Sequence, residues 1–128
     1  MENIVIKGAH DVFFIPNVNF DYTACKCELG GESYLEETTK FYTPLLNWLD
    51  QYFNEVSMPL TFDFSLTYFN TSSSGAILNI LNKLKSFIKS GLSITINWYY
   101  DSDDLDMKEE IEDYIYSTDL QINLIPKS

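Results

Sequence analysis

The sequence predicts a two-layer α/β domain, a mixed β-sheet with three helices packed mainly on one face. Three observations carry that prediction. The chain has 128 residues and a hydrophobic share of 45%, which suits one domain with a real core, since domains run roughly 100–150 residues. The spacing of its apolar residues switches repeatedly between period 2 and period 3.6. Its clearest strands alternate apolar with polar residues, whereas strands buried on both faces read as continuous apolar runs. Only one face of the sheet can therefore be covered by helices.

The elements follow in order. Ile4 to Ile6, Val12 to Phe20 and Tyr22 to Leu29 predict short strands, broken at Gly8, Pro16 and the Gly30–Gly31 pair. From Glu36 the pattern becomes helical, with Phe41, Leu45, Trp48, Leu49 and Tyr52 on one stripe and an end before Pro59. Leu60 to Tyr68 alternates without a miss and predicts a central strand. The polar cluster Asn70-Thr71-Ser72-Ser73-Ser74-Gly75 opens a second helix, striped by Ile77, Ile80, Leu81, Leu84, Phe87 and Ile88. Gly91 is placed to cap that helix. Leu92 to Tyr100 alternates again. An acidic turn, Asp101 to Asp106, leads into a third helix carrying Met107, Ile111, Tyr114 and Ile115 on one face. Leu120 to Leu124 predicts the last strand. No linker, repeat or low-complexity tract intervenes, so residues 1–128 read as one domain.

Charge excludes several functions. The chain has 8 basic and 19 acidic residues, a net charge of −11, and all its basic residues are Lys. Nucleic-acid binding draws on clustered Lys and Arg, and Arg supplies the bidentate base contacts. An anionic membrane surface is equally disfavoured. No stretch approaches the roughly 20 apolar residues of a spanning helix, and the N-terminus shows no secretory signal. Cys25 and Cys27 are poorly spaced for a bridge within one strand and read as small buried residues in a reducing cytoplasm. His10 is the only histidine, too few for zinc, His-metal or most triad chemistry. No metal or cofactor is expected.

The Asn70 to Gly75 junction is the most informative local feature. One Ser or Thr suffices to cap a helix, and here four hydroxyl residues run consecutively. No acidic residue lies between Asp63 and Asp101, while Lys83, Lys85 and Lys89 fall on the helix this junction opens. Along the sequence this is an electropositive window in an acidic chain, at a helix N-terminus whose free N–H groups favour an anion. Two readings follow: phosphorylation of one of these hydroxyls, or a pocket at 70–75 that binds a small anion or nucleotide. A third, enzymatic reading fails for want of a base beside Thr71.

The order of motifs resembles the SiaC family of bacterial regulatory phosphoproteins, which have a STAS-like fold akin to anti-sigma factor antagonists. The residues that carry the resemblance are Gly31-Glu32-Ser33-Tyr34, Phe41-Tyr42-Thr43-Pro44-Leu45, Trp48-Leu49, Tyr68-Phe69-Asn70-Thr71-Ser72-Ser73-Ser74, Trp98-Tyr99-Tyr100-Asp101 and Asp103-Asp104-Leu105-Asp106-Met107. The resemblance implies a cytoplasmic partner-switching module, not an enzyme, reversibly phosphorylated at Thr71. It implies a switch loop and partner surface at Phe69, Asn70, Ser72, Ser73 and Ser74. It also implies a cognate Ser/Thr kinase, a PP2C-type phosphatase and a signalling effector such as a diguanylate cyclase. The chain departs from the family pattern at Gly75, where a basic residue is expected, and at Leu35, where a Pro is expected.

Asp101 to Asp119 holds 9 of the 19 acidic residues. Asp101, Asp103 and Glu112 match three positions of an EF-hand loop, but Leu105 and Asp106 occupy positions 5 and 6, and position 6 requires Gly. Complementing the dipole of the third helix is the simpler role.

Overall fold

A computed structural model describes residues 1–128. Eight strands and three helices follow one another as β1 (Ile4–Ile6), β2 (Ala9–His10), β3 (Phe14–Ile15), β4 (Asn17–Asp21), β5 (Lys26–Ser33), α1 (Thr38–Glu55), β6 (Leu60–Phe69), α2 (Thr71–Lys89), β7 (Ile94–Asp101), α3 (Leu105–Thr118) and β8 (Asn123–Lys127). Six strands form one sheet in the order β1-β4-β5-β6-β7-β8, and β2 and β3 form a separate ribbon. The pairs β1–β4 and β4–β5 are antiparallel; β5–β6, β6–β7 and β7–β8 are parallel. Each helix crossover advances one strand in the same direction. Crossovers of a single hand then lay α1, α2 and α3 on the same face of the sheet.

The predicted alternation maps onto that asymmetry. On the helix side Phe20, Leu29, Phe62, Phe64, Leu66 and Trp98 are fully buried against Leu45, Leu49, Ile77 and Ile80. Stacked rings run along β6 and across to β7, with Phe62 4.4 Å from Phe64 and Phe64 4.7 Å from Trp98. Each fully buried side chain of this size contributes about 1.5–3 kcal/mol by leaving water. On the other face a polar row crosses the sheet in register, Asn19–Glu28–Asp63–Asn97–Asn123. Asn97 donates to Asp63 at 2.9 Å, Asn123 donates to Asn97 at 2.9 Å, and Lys26 reaches Asp63 at 3.5 Å.

Several predicted boundaries differ, each for a local reason. Val12 to Phe20 breaks at Pro16 as predicted, since Pro16 has no N–H and separates β3 from β4, but the part before it is shorter, and Phe14–Ile15 pairs with Ala9–His10, outside any predicted strand. Gly30–Gly31 does not end the preceding strand; β5 runs through it, with a register shift between Gly31 and Glu32 and Gly31 at φ 84°. Bulges of this kind let a strand continue while re-aiming its side chains. At Gly30 any Cβ would collide with the Ser65 hydroxyl. The last strand is Asn123–Lys127 rather than 120–124, and Pro126 is tolerated because β8 is an edge. Phe41 is only half-buried and Ile88 is exposed. No helix is long and apolar enough to cross a membrane.

The end of α2 behaves as the sequence predicts. Gly91 takes φ 105°, its N–H bonds to Ile88, and the Leu92 N–H bonds to Phe87, both at 3.0 Å, the Schellman pattern. Gly75, by contrast, lies inside α2 at ordinary helical φ, with open space where a Cβ would go. Opposite outcomes are therefore expected in thermal denaturation. Gly91→Ala should lower stability by about 1 kcal/mol, and Gly75→Ala should raise it by about 1 kcal/mol. Equal effects of one sign would contradict this account of the helix.

Candidate functional site

The β6–α2 junction lies at the C-terminal end of the central strands, where open α/β sheets place their sites. Asn70 builds it. Its backbone is extended, its Oδ1 accepts from the Ser73 N–H at 3.1 Å, its Nδ2 donates to the Leu35 carbonyl at 3.2 Å, and its own N–H donates to the Ser33 carbonyl at 3.0 Å. One carboxamide thus caps α2 and ties it to the β5–α1 loop. An acidic side chain would keep the cap and lose the donor to Leu35.

The four consecutive hydroxyls have different fates. Ser73 is fully buried; Ser33 Oγ donates to it at 2.8 Å and shares a 2.7 Å bond with the Tyr42 hydroxyl. Ser72 Oγ shares a 2.7 Å bond with Thr38 Oγ1 at the start of α1, and contacts Asn70 Oδ1 at 3.4 Å. Ser74 Oγ shares a 2.9 Å bond with the Tyr114 hydroxyl, which also donates to the Ser74 carbonyl at 3.0 Å. These three serines fasten α2 to α1, β5 and α3. Thr71, the first residue of α2, is exposed, and its hydroxyl makes no hydrogen bond within the chain. The N–H groups of Thr71 and Ser72 likewise have no acceptor in the chain, as expected of the first turn.

Of the residues predicted for a partner surface, Phe69 and Asn70 are half-buried and Ser72 is exposed, while Ser73 is enclosed by its hydroxyl partners and unavailable to a partner. Phe69 packs against Trp98 and Tyr114, with ring centres 6.2 Å from each. Tyr99 lies with Asn97 on the opposite, polar side of β7 by strand alternation, away from this junction.

The electropositive window of the sequence does not survive folding. Lys83 is held by both oxygens of Asp50 at 2.8 and 2.9 Å, Lys85 bonds the Thr118 carbonyl, and Lys89 sits in the last turn of α2. Lys83 lies twelve positions along the helix from Thr71, roughly 18 Å away. Carboxylates from other elements line the hollows on either side of the junction instead. Asp104, Asp106 and Glu110 rim a hollow lined by Thr67, Tyr68 and Phe69, and Glu36 and Glu37 follow Leu35. Asp104 also caps α3, its Oδ1 accepting from the Met107 N–H at 3.0 Å. A pocket for an anionic ligand finds no free cation here.

The buried hydroxyls show in the tyrosines. Burial pushes Tyr42 up to about 12, partly offset by its Ser33 and Ser73 partners. Burial also pushes Tyr114 up to about 12, with its bond to Ser74 pulling the other way.

A family model described as SiaC family regulatory phosphoprotein matches residues 9–127. The chain belongs to the SiaC family. A relative from Pseudomonas aeruginosa strain UCBPP-PA14, itself uncharacterized, is 28% identical over 101 residues, covering 79% of this chain and 78% of the relative. The crystal structure of apo-SiaC from Pseudomonas aeruginosa matches the fold at TM-score 0.88 and 24% identity, covering 98% of this chain and 99% of that one. A chain from the crystal structure of diguanylate cyclase SiaD in complex with its activator SiaC, from the same organism, matches at TM-score 0.85 and 22% identity, covering 95% of this chain and 100% of that one. The α/β architecture predicted from the sequence, three helices with a mixed sheet, is the fold that matches these SiaC structures.

The tyrosine network has a measurable pH signature. A free tyrosine ionises near 10, and folding holds Tyr42 neutral to about 12. Between those values the unfolded chain binds fewer protons than the folded one. The stabilising contribution is therefore intact below pH 10 and lost as pH rises through 12. Urea midpoints from pH 9 to 12 should fall less steeply for Tyr42→Phe than for the parent chain. Parallel curves would contradict the assignment.

Proposed function

We propose that this SiaC-family protein is a cytoplasmic, non-catalytic regulator whose grip on a signalling effector is switched by reversible phosphorylation of Thr71. The observation that carries the reading is selective availability. Of four consecutive hydroxyls, three are committed to holding α2 in place, and Thr71 alone is exposed and unbonded. A kinase can reach it without unfolding anything, and a phosphatase can reach its product.

The added group brings about −1.5 to −2 charges and three acceptor oxygens. At the first position of α2 the helix dipole and the free Thr71 and Ser72 amides favour an anion. The fold therefore keeps its shape. The exposed surface changes sharply, because a neutral hydroxyl becomes a hydrated dianion. Binding to a partner packed over Thr71 is lost while the domain stays folded. A cognate Ser/Thr kinase and a PP2C-type phosphatase set the state. The effector is a diguanylate cyclase, in keeping with the complex formed by the Pseudomonas aeruginosa relative.

Affinity capture from cells of the source organism, followed by a cyclase assay, tests the reading. Thr71→Ala should retain a diguanylate cyclase that Thr71→Asp releases, with both variants melting within a few degrees of the parent. Equal retention of the cyclase by both variants would refute it.

A further inference from the structure

We propose that the partner docks across an exposed aromatic ridge beside Thr71, through a segment that presents apolar side chains flanked by Lys or Arg. This rests on the switch reading above and names the surface and the chemistry of what it binds.

The ridge is assembled from three parts of the chain. Phe13 stacks on Tyr34 with ring centres 6.2 Å apart, and Tyr34 lies 6.4 Å from Tyr68. Tyr34 is 43% exposed and Tyr68 46% exposed, and neither hydroxyl has a partner in the chain. Strand pairing fixes the arrangement. Tyr34 pairs with Phe14 through two 2.9 Å backbone bonds, and Tyr68 lies beside Glu32 in the β5–β6 ladder. Tyr116, 91% exposed, stacks on no other ring, and a single exposed side chain is ordinary. Tyrosine exposed in a cluster is not; such side chains are enriched at interface centres, where ring and hydroxyl both find partners.

A hollow flanks each end of the ridge. At the Phe13 end a largely apolar hollow of about 490 Å³ is floored by Phe13, Ile15, Leu35 and Phe41. At the Tyr68 end lies the hollow of about 250 Å³ walled by Phe69 and Met107. The half-buried Phe41, which its helical spacing predicts to be core, is therefore the floor of a surface groove.

Charge selects the occupant. Glu36 and Glu37 rim the first hollow, and Asp104, Asp106 and Glu110 cluster at the second. The single opposing cation at the first rim, Lys40, is paired with Glu37 at 3.6 Å. A segment with apolar anchors and flanking cations satisfies both hollows and both rims, and its cations can also lie over the tyrosine faces. The surface adjoins the switch on both sides: Leu35 in the first hollow accepts from Asn70, and Phe69 in the second immediately precedes Asn70. A phosphate on Thr71 would lie at its margin and compete for the same cations.

Titration of the isotopically labelled full chain with a short Leu- and Lys-containing peptide, followed by amide NMR, tests the proposal against a matched Leu- and Glu-containing peptide. Shifts should concentrate at residues 13–15, 34–41, 67–71 and 104–110 for the basic peptide only. Tyr34→Ala/Tyr68→Ala should weaken binding roughly tenfold, a loss of about 1.4 kcal/mol. Asp106→Lys, an exposed change that leaves the core alone, should weaken it as well. Shifts elsewhere, equal response to the acidic peptide, or undiminished binding by both variants would overturn the proposal. The two ideas fail separately. If the basic peptide maps to the ridge and phosphothreonine at position 71 leaves its affinity unchanged, the surface stands and the switch falls. If Thr71 is phosphorylated in cells and the peptide ignores the ridge, the surface falls alone.

Discussion

The carboxamide of Asn70 is the constraint on which the junction depends. It must accept from the first turn of α2 and donate to the β5–α1 loop at once, and its backbone N–H must reach β5. Meeting all three fixes where β6 stops and how α2 is rotated about its axis. That rotation turns Ser73 into the core, Ser72 towards α1 and Ser74 towards α3. Thr71 is left pointing outwards by the same geometry, since consecutive helical residues are about 100° apart. Its exposure is a consequence of three serines being in place.

This arrangement separates stability from signalling. The bonds around Ser33, Tyr42 and Ser73 are buried, and leaving one of those groups unpaired costs about 1–3 kcal/mol. They resist change, and a modification of Ser73 would require opening the core. Thr71 bears no such load. Adding charge there alters what the surface can bind without entering the core, which suits a protein read by partners. The carboxylates of α3 and of the β5–α1 loop rim the hollows beside Phe69 and Leu35, the neighbours of Asn70, so one more anion adds to an already acidic surface.

Much of this was legible in the sequence, and the failures have a common cause. Alternation from Leu60 to Tyr68 and from Leu92 to Tyr100 implied a sheet covered on one face, and the sheet is so covered. Gly91 announced its Schellman cap. The Asn70 to Gly75 run marked the junction, because four hydroxyls exceed what a cap needs. Which hydroxyl remained free could not be read, since the deciding partners Ser33, Thr38 and Tyr114 lie 34 to 40 residues away in sequence. The carboxylate-free window misled for the same reason: it measured charge along the chain, while Asp104, Asp106 and Glu110 arrive through space. The strand through Gly30–Gly31 was hidden by a bulge, and β2 by its length, since the two residues Ala9–His10 are too few to show a period before they pair with β3.

The most direct test of the central claim is site-localised phosphopeptide mapping. The protein would be purified from its own cells and the peptide spanning residues 70–75 sequenced by tandem mass spectrometry. Phosphate should be found on Thr71, with Ser72, Ser73 and Ser74 unmodified. Phosphate on any of the three serines with Thr71 bare would contradict the account.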